Sequence, residues 1–315
     1  MPRIWFHGEA LIDFVPRAEA NGPAYLPRPG GSPFNAAKAA AMAGGDAAFL
    51  GALSHDFFGD MLHADLAAAG VDTRHAERLD EATPLAFVKL EGGEARYAFY
   101  TAATAMVAAD PRPAAALMAP GDILDLGSIA LIERPGAGHA AELALSAAAC
   151  GVTLALDPNA RPVMTRDPAD WRARIARLME AAAIIRLSTE DLAAIDASAR
   201  PEVFAGQAMS AGASLVIVTD GAAGATAFTP GARHHEPAPA VKVADTVGAG
   251  DVLTGSLLAR LSAVGRTAPE AIAAMDEGEL AALLRFAVQA AAINCTRTGC
   301  TPPSRAEIEA AVAQG

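Results

Sequence analysis

The chain is poor in what a secreted, membrane-spanning or nucleic-acid-binding protein requires. Cysteine occurs only at Cys150, Cys295 and Cys300. That odd number, without paired metal spacing, points away from a disulfide framework or zinc site and toward a reduced, cytoplasmic setting. Cations are scarce as well: 24 lysines and arginines face 36 acids, and a net charge of −12 argues against binding a phosphate backbone, which needs clustered positive charge. No apolar run is long enough for a bilayer. The longest, Leu143 to Leu156, is interrupted by Ser146, Gly151 and Thr153 and flanked by Glu142 and Asp157. The opening "MPRIWFHGEALIDF" carries an early cation and an acid and has no small-residue cleavage site behind it, so no secretory signal is expected. Absent too are the G-x-x-x-x-G-K-[ST] loop and a complete G-x-G-x-x-G, which removes the main support for P-loop and dinucleotide readings. Nucleic acid and membrane drop out as expected partners, and small-molecule chemistry remains.

What is present is an alternation of strand-like and alanine-rich helical stretches, the pattern of parallel βαβ units in an α/β protein. "RIWFHG", "AAFLGAL", "DILDLGS", "VTLALD", "AAIIRLS" and "SLVIVTDG" read as strands. Helices are predicted over Phe34 to Ala43, Phe57 to Ala69, Ala137 to Ala149, Pro168 to Met179 and Glu190 to Ser198, then over 250 to 264, 277 to 294 and 304 to 313. Two segments break the alternation. "FVPRAEANGPAYLPRPGG" and "PLAFVKLEGGEARYAFYTA" read as short strands with turns, the second as a hairpin across Glu91 to Glu94, and together they suggest a small β-layer beside the main sheet. One large domain with that excursion is expected.

Two glycine-rich stretches carry the chemistry. In "DTVGAGDVLTG", residues 245 to 255, a helix starting near Gly250 would turn the free amides of Gly248, Ala249 and Gly250 toward an anion at the positive end of its dipole. Asp251, on the first turn, could take a proton from a hydroxyl attacking a phosphate. In "PRPGGSPFNAAKAAAMAGG", Gly30 and Gly31 allow close approach of a ligand and Asn35 offers both donor and acceptor to a diol. Taken alone, each stretch reads equally well as a turn entering a capped helix.

Together, "GGSPFNAAKAAAMAGGDAAFLGALSHDFFGDML" and, about 200 residues on, "DTVGAGDVLTGSLLA" resemble the paired signatures of the ribokinase-like (PfkB) family of sugar and nucleoside kinases, across nearly the whole chain. The resemblance implies a single domain over 1–315 with a Rossmann-like three-layer α/β/α ribokinase-like fold and a small β-sheet lid, formed here from about 14–29 and 84–102. It implies ATP as donor, Mg²⁺, often K⁺, and pairing of subunits through the lids. Carried over by position, Asp251 matches the catalytic base and Gly248, Ala249 and Gly250 the anion hole. Asp13, Gly31 and Asn35, with Gly30 beside them, match sugar contacts.

Nucleotide handling is less well marked. In "VTDGAAGA", Thr219 and Gly221 match contacts beside ATP; the same residues also make a plain hairpin turn. Where many relatives have N-x-x-E, this chain has Ser188 and Asp191 with Glu190 between them, a departure that bears on Mg²⁺ and phosphate. For K⁺, Asp245 and Val247 match one loop of the relatives' site and Asn294, Arg297 and Gly299 the other; Asp245 alone is equally a helix-entry ion pair. "FHGEALIDFVP", "LGSIALIERP", "LALDPNARP" and "CTRTG" are most similar to the bacterial fructokinase subgroup. This implies that Arg161 and Asn159 bind the ketose and that the lid residues Phe99 and Tyr100 cover it. An ATP-dependent fructokinase is therefore expected, with 2-keto-3-deoxygluconate, another ketose or a ribosyl compound as alternative acceptors. A non-catalytic sugar sensor is the rival from another class, and Asp251 between its glycines speaks against it.

Overall fold

The computed structural model describes residues 1–19, 22–91 and 94–314. The first half runs β1 (Ile4–His7), β2 (Leu11–Glu19), β3 (Gly22–Gly30), α1 (Ser32–Met42), β4 (Ala47–Phe49), β5 (Leu53–Ser54), α2 (Phe57–Ala68), β6 (Arg78–Leu79), β7 (Leu85–Glu91), β8 (Glu94–Tyr100), α3 (Ala105–Ala108), β9 (Ile123–Gly127), α4 (Gly136–Ala149) and β10 (Thr153–Asp157). The second half runs α5 (Pro168–Ala181), β11 (Ile184–Ser188), α6 (Thr189–Ile195), α7 (Pro201–Ser210), β12 (Leu215–Thr219), β13 (Ala225–Phe228), β14 (Arg233–Glu236), α8 (Ala249–Ala263), α9 (Pro269–Ala273), α10 (Glu277–Cys295) and α11 (Arg305–Gln314).

The main sheet has the order β4-β1-β9-β10-β11-β12-β13-β14. Its first six strands are parallel, and β13 and β14 continue it antiparallel. Strands buried on both faces need apolar side chains both ways, and the alternation decides which helix each side chain meets. Ile4, Phe6, Ile123, Ile184 and Ile217 pack with Phe34 of α1, Leu257 of α8 and Leu284 of α10. Their neighbours Trp5, Leu124, Ile185 and Val216 pack with Leu143 of α4, Ile175 of α5 and Phe204 of α7. The fold is thus a three-layer α/β/α sandwich. The helices predicted from the sequence lie within three residues of those observed. Six elements escaped prediction: the short α3, α9, β6 and β13, α7, which buries only Phe204 and Ala205, and β14, "RHHE", a half-exposed edge strand.

From β1 the chain passes to β4 on one side and later to β9 on the other, so the sheet has its switch point there, where α/β proteins bind ligands beyond the strand ends. A second sheet, β3-β2-β7-β8, begins four residues after β1 and overhangs that point. Glu91 and Glu94 oppose each other in its register, while the turn residues 92 and 93 of the expected hairpin lie outside the described residues. Leu11, Asp13, Tyr97 and Phe99 face the main sheet's strand ends. Phe14, Tyr25, Phe87 and Tyr100 occupy the opposite face, with Phe14 stacked on Phe87 at 4.5 Å and both tyrosines edge-on to Phe87.

Candidate active site

A cavity of about 620 Å³ lies between the small sheet and the carboxyl ends of β1, β9, β10 and β11. Its floor is the start of α8. Gly248 caps that helix in the left-handed conformation, φ +73°, where a Cβ would also lie 2.5 Å from Cys300 Sγ. The first amides of a helix have no intrahelical acceptor. Here the Ala249 N–H turns back to the Thr246 carbonyl at 3.2 Å, so of the three predicted anion-hole amides this one is already engaged within the loop. Asp251 stands half-buried at the cavity floor. Its Oδ1 accepts from Ser32 Oγ at 2.7 Å and its Oδ2 from Asn35 Nδ2 at 2.8 Å. Withdrawal from water raises its pKa to about 6, against the lowering effect of those two donors.

The sugar-side residues arrive on the segment that joins the two sheets. Asp13 projects from β2 into the cavity, and burial together with the nearby Asp251 charge raises its pKa to about 6. Gly30 leaves room for it, since a Cβ there would lie 2.2 Å from Asp13 Oδ2. Gly31 has φ +113°, and its Cβ would lie 2.3 Å from the Glu9 carbonyl oxygen. That approach brings the Ser32 amide onto Glu9 Oε1 at 2.9 Å. Glu9 is only 2% exposed, its Oε2 has no partner among the described residues, and burial pushes its pKa up to about 7.

At the other rim, Asn159 adopts φ +38° and donates to Ser128 Oγ at 3.2 Å. Arg161 donates to the carbonyl of Ala160 at 3.0 Å, and both residues line the cavity. Ser188 and Asp191 form a capping box at the start of α6. Both Asp191 oxygens serve the protein, one accepting from Ser188 and the other from the Ala160 amide at 2.7 Å. Glu190, exposed between them, reaches the cavity edge.

One predicted placement is corrected. Tyr100 is 62% exposed on the far face of the small sheet; the strand's alternation gives its cavity position to Tyr97 and Phe99. Thr219 is buried and its hydroxyl accepts from Arg186 Nη2 at 2.8 Å, so it supports Arg186 rather than facing the cavity, and Gly221 is exposed beyond it in a one-turn helix. The Arg297 guanidinium turns to the carbonyls of Thr301 and Pro302 and to Glu307; the oxygen expected at a cation is its backbone carbonyl. The remaining four of that set do meet. Asp245 accepts from the Val247 amide at 3.0 Å and the Gly299 amide at 2.9 Å. Asn294, fully buried, donates to the Val247 carbonyl at 3.0 Å and accepts from the Thr301 amide at 2.8 Å.

Several site residues had no sequence signal strong enough to single them out. Glu9 was visible only as an acid in an apolar strand end. Ser32 and Tyr97 sit beside residues that were chosen. Arg186 lies inside the strand "AAIIRLS", where a buried cation is itself the anomaly.

Known proteins share this arrangement of sheet, cleft and helix start. A model of the pfkB family of carbohydrate kinases matches residues 1–307. A fructokinase of Rhizobium leguminosarum bv. trifolii is 35% identical over 276 residues, 87% of this chain and 84% of that protein. Fructokinase from Xylella fastidiosa, solved with bound ATP, superposes with a TM-score of 0.89 at 29% identity, covering 99% of this chain and 98% of that one. A doubly substituted Vibrio cholerae fructokinase, solved with fructose, ADP and a potassium ion, gives 0.86 at 28% identity and 98% of each chain. With the family match running almost from end to end and the relatives agreeing along the same length, the chain belongs to the pfkB family of carbohydrate kinases.

Proposed function

We propose that the protein is an ATP-dependent fructokinase that converts D-fructose and ATP to D-fructose 6-phosphate and ADP, with Asp251 as general base. One observation carries the reading: Asp251 stands at the start of α8 and in the same cavity as Asp13, Asn35, Asn159 and Arg161, so a hydroxyl held by the sugar-side residues can meet a phosphoryl group at the helix start. The fructose 6-hydroxyl oxygen bonds to the γ-phosphorus as the bond to the β–γ bridging oxygen breaks. ADP leaves with that electron pair, and the hydroxyl proton passes to Asp251. With a pKa of about 6, Asp251 is ionised at neutral pH and ready to accept it.

Asp13 and Asn35 hold sugar hydroxyls, and Asn159 and Arg161 select the ketose. The small sheet of β2, β3, β7 and β8 acts as the lid that excludes water through Tyr97 and Phe99. The amides of Gly248 and Gly250 receive the phosphoryl group. The exposed carboxylate of Glu190 at the cavity edge suits a hard cation and would help hold Mg²⁺, which would supply neutralisation of phosphate charge. Asp245, Val247, Asn294 and Gly299 fasten the loop before α8 to the loop after α10; their oxygens would hold K⁺ there, where it would steady the start of α8, and the Vibrio cholerae fructokinase was solved with potassium. Tyr25, Phe57 and Tyr100, exposed beside the lid's outer aromatic face, support pairing of two copies there. No described helix is long and apolar enough to cross a membrane, and the three free cysteines suit the cytoplasm, where ATP is available.

The test is ADP release with fructose, 2-keto-3-deoxygluconate, ribose, tagatose and adenosine, each with and without K⁺. Fructose should give the highest kcat/KM. Higher kcat/KM on another acceptor would reassign the substrate, and turnover on none would refute the kinase reading.

A further inference from the structure

Beneath α8 lies a charged assembly that the chemistry above does not use. Arg186 is buried on β11, with Nη1 donating to Asp157 Oδ2 at 3.0 Å and Nη2 to Thr219 Oγ1 at 2.8 Å. The ends of β10, β11 and β12 are thereby joined in one place. The same assembly grips α8 at two points one turn apart. Thr254 Oγ1 donates to Asp157 Oδ2 at 3.2 Å, and the guanidinium lies against Gly250, where a Cβ would stand 2.7 Å from Nη2 and 3.0 Å from Nη1.

Fold stability alone is a poor explanation for this arrangement. A buried ion pair adds little over well-packed apolar side chains. Arg186 Nε and Asp157 Oδ1 are buried without a partner among the described residues. A cation against the amino end of a helix also faces a positive dipole, an unfavourable meeting unless an anion comes to the same place. Arg186 lines the cavity at the point where such an anion would arrive.

We infer that Arg186 is a positioning residue for phosphoryl transfer: pinned by Asp157 and Thr219 beneath Gly250, it fixes the first turn of α8 and adds positive charge behind the amides that receive the phosphoryl group. The inference rests on the kinase reading above. Charge on the transferring group is distributed over its equatorial oxygens in the transition state, so a fixed cation behind the receiving amides acts mainly on kcat.

The test compares wild type, R186K, R186M and the neutral pair D157N/R186M, each with the acceptor that wild type turns over best. D157N/R186M removes both charges of the pair, so Asp157 is not left as a buried anion without its cation, and the neighbouring buried Asp125, whose proton affinity burial already raises, loses the Asp157 charge together with that of Arg186. It should melt close to wild type and keep both KM values within about threefold while kcat falls by roughly 10²–10³. R186K, which keeps the charge without the two-pronged hold, should recover part of that loss. Wild-type kcat in the neutral pair would overturn the inference, leaving Arg186 as no more than the counterion of Asp157. Should the neutral pair fail to fold, R186K decides: reduced kcat at unchanged KM supports positioning, and unchanged kcat rejects it. The acceptor preference of wild type tests the fructokinase reading separately, because the ratio of variant to wild type does not depend on which sugar is used.

Discussion

Three carboxyls meet the cavity with proton affinities above those of free side chains, and the cause is the same for each. Burial withdraws the water that would stabilise the anion, bringing Asp251 and Asp13 to about 6 and Glu9 to about 7. A base must be unprotonated to act, so kcat/KM should fall at least about tenfold per pH unit below pH 6, and D251N should be slower by roughly 10²–10⁴ with sugar KM little changed. A D251N enzyme with near-normal turnover would remove Asp251 from the role. Ser32 donates to the ionised form of Asp251, so S32A should move the acid limb upward, and a limb that stays or falls would contradict that account. Glu9 predicts a stability effect. Below its unfolded pKa of 4.5 both states are protonated; between there and about 7 the unfolded chain releases a proton that the folded chain retains, so stability declines as pH rises. E9Q keeps an acceptor for the Ser32 amide and lacks that penalty. At pH 8 it should be more stable than wild type, by on the order of 3 kcal/mol at most, and the difference should vanish near pH 4.5. Urea melts at the two pH values check both the gain and its disappearance.

At the scale of elements, α8 and α1 carry most of the site between them, and their glycines do different work. Gly255 lets the two helices touch: a Cβ there would lie 2.1 Å from the Ala36 carbonyl oxygen, and backbone cannot move aside cheaply. Gly30 faces only the far end of Asp13, which can rotate away. G255A should therefore cost about 1–3 kcal/mol or more of stability. G30A should melt near wild type while raising sugar KM by roughly 10–100-fold, the equivalent of one lost hydrogen bond to a charged group. Equal melting temperatures for the two variants would contradict this division. Such elements were legible in the sequence because each announces itself locally, by an apolar strand, an alanine-rich helix or a glycine pair before a cap. Asp13, Asn35 and Asp251 were legible because two signatures had to occur together. Arg186 was not, since its meaning depends on Asp157, Thr219 and Gly250, which meet only after three strands and a helix are in place. Tyr100 was misplaced by a single register step, because in a strand the neighbouring residue faces the opposite way.

Over the whole molecule, the two halves of the proposed reaction come from different parts of the chain. Residues 9 to 35, continuous with β2 and β3, bring Asp13, Ser32 and Asn35. Residues 186 to 251 bring Arg186 and the start of α8. The small sheet overhangs the cavity and, among the described residues, contributes Leu11, Asp13, Tyr97 and Phe99 to it, so an occupant that touches both sheets favours their closed arrangement by its differential contacts. In the proposed binding mode fructose would reach Asp13 on the small sheet and Arg161 beyond the main one, whereas a nucleotide at the start of α8 would reach the main-sheet side alone. Amide hydrogen exchange should separate the two. Saturating fructose should slow exchange in 11–16 and 97–100 as well as around 246–251, because the ligand binds the closed form and makes opening rarer. ADP alone should slow 246–251 and leave the small sheet near its free rate. If fructose protected 246–251 but left 11–16 and 97–100 unchanged, the small sheet would be a fixed wall of the site, and exclusion of water during transfer would have to come from the nucleotide and sugar themselves.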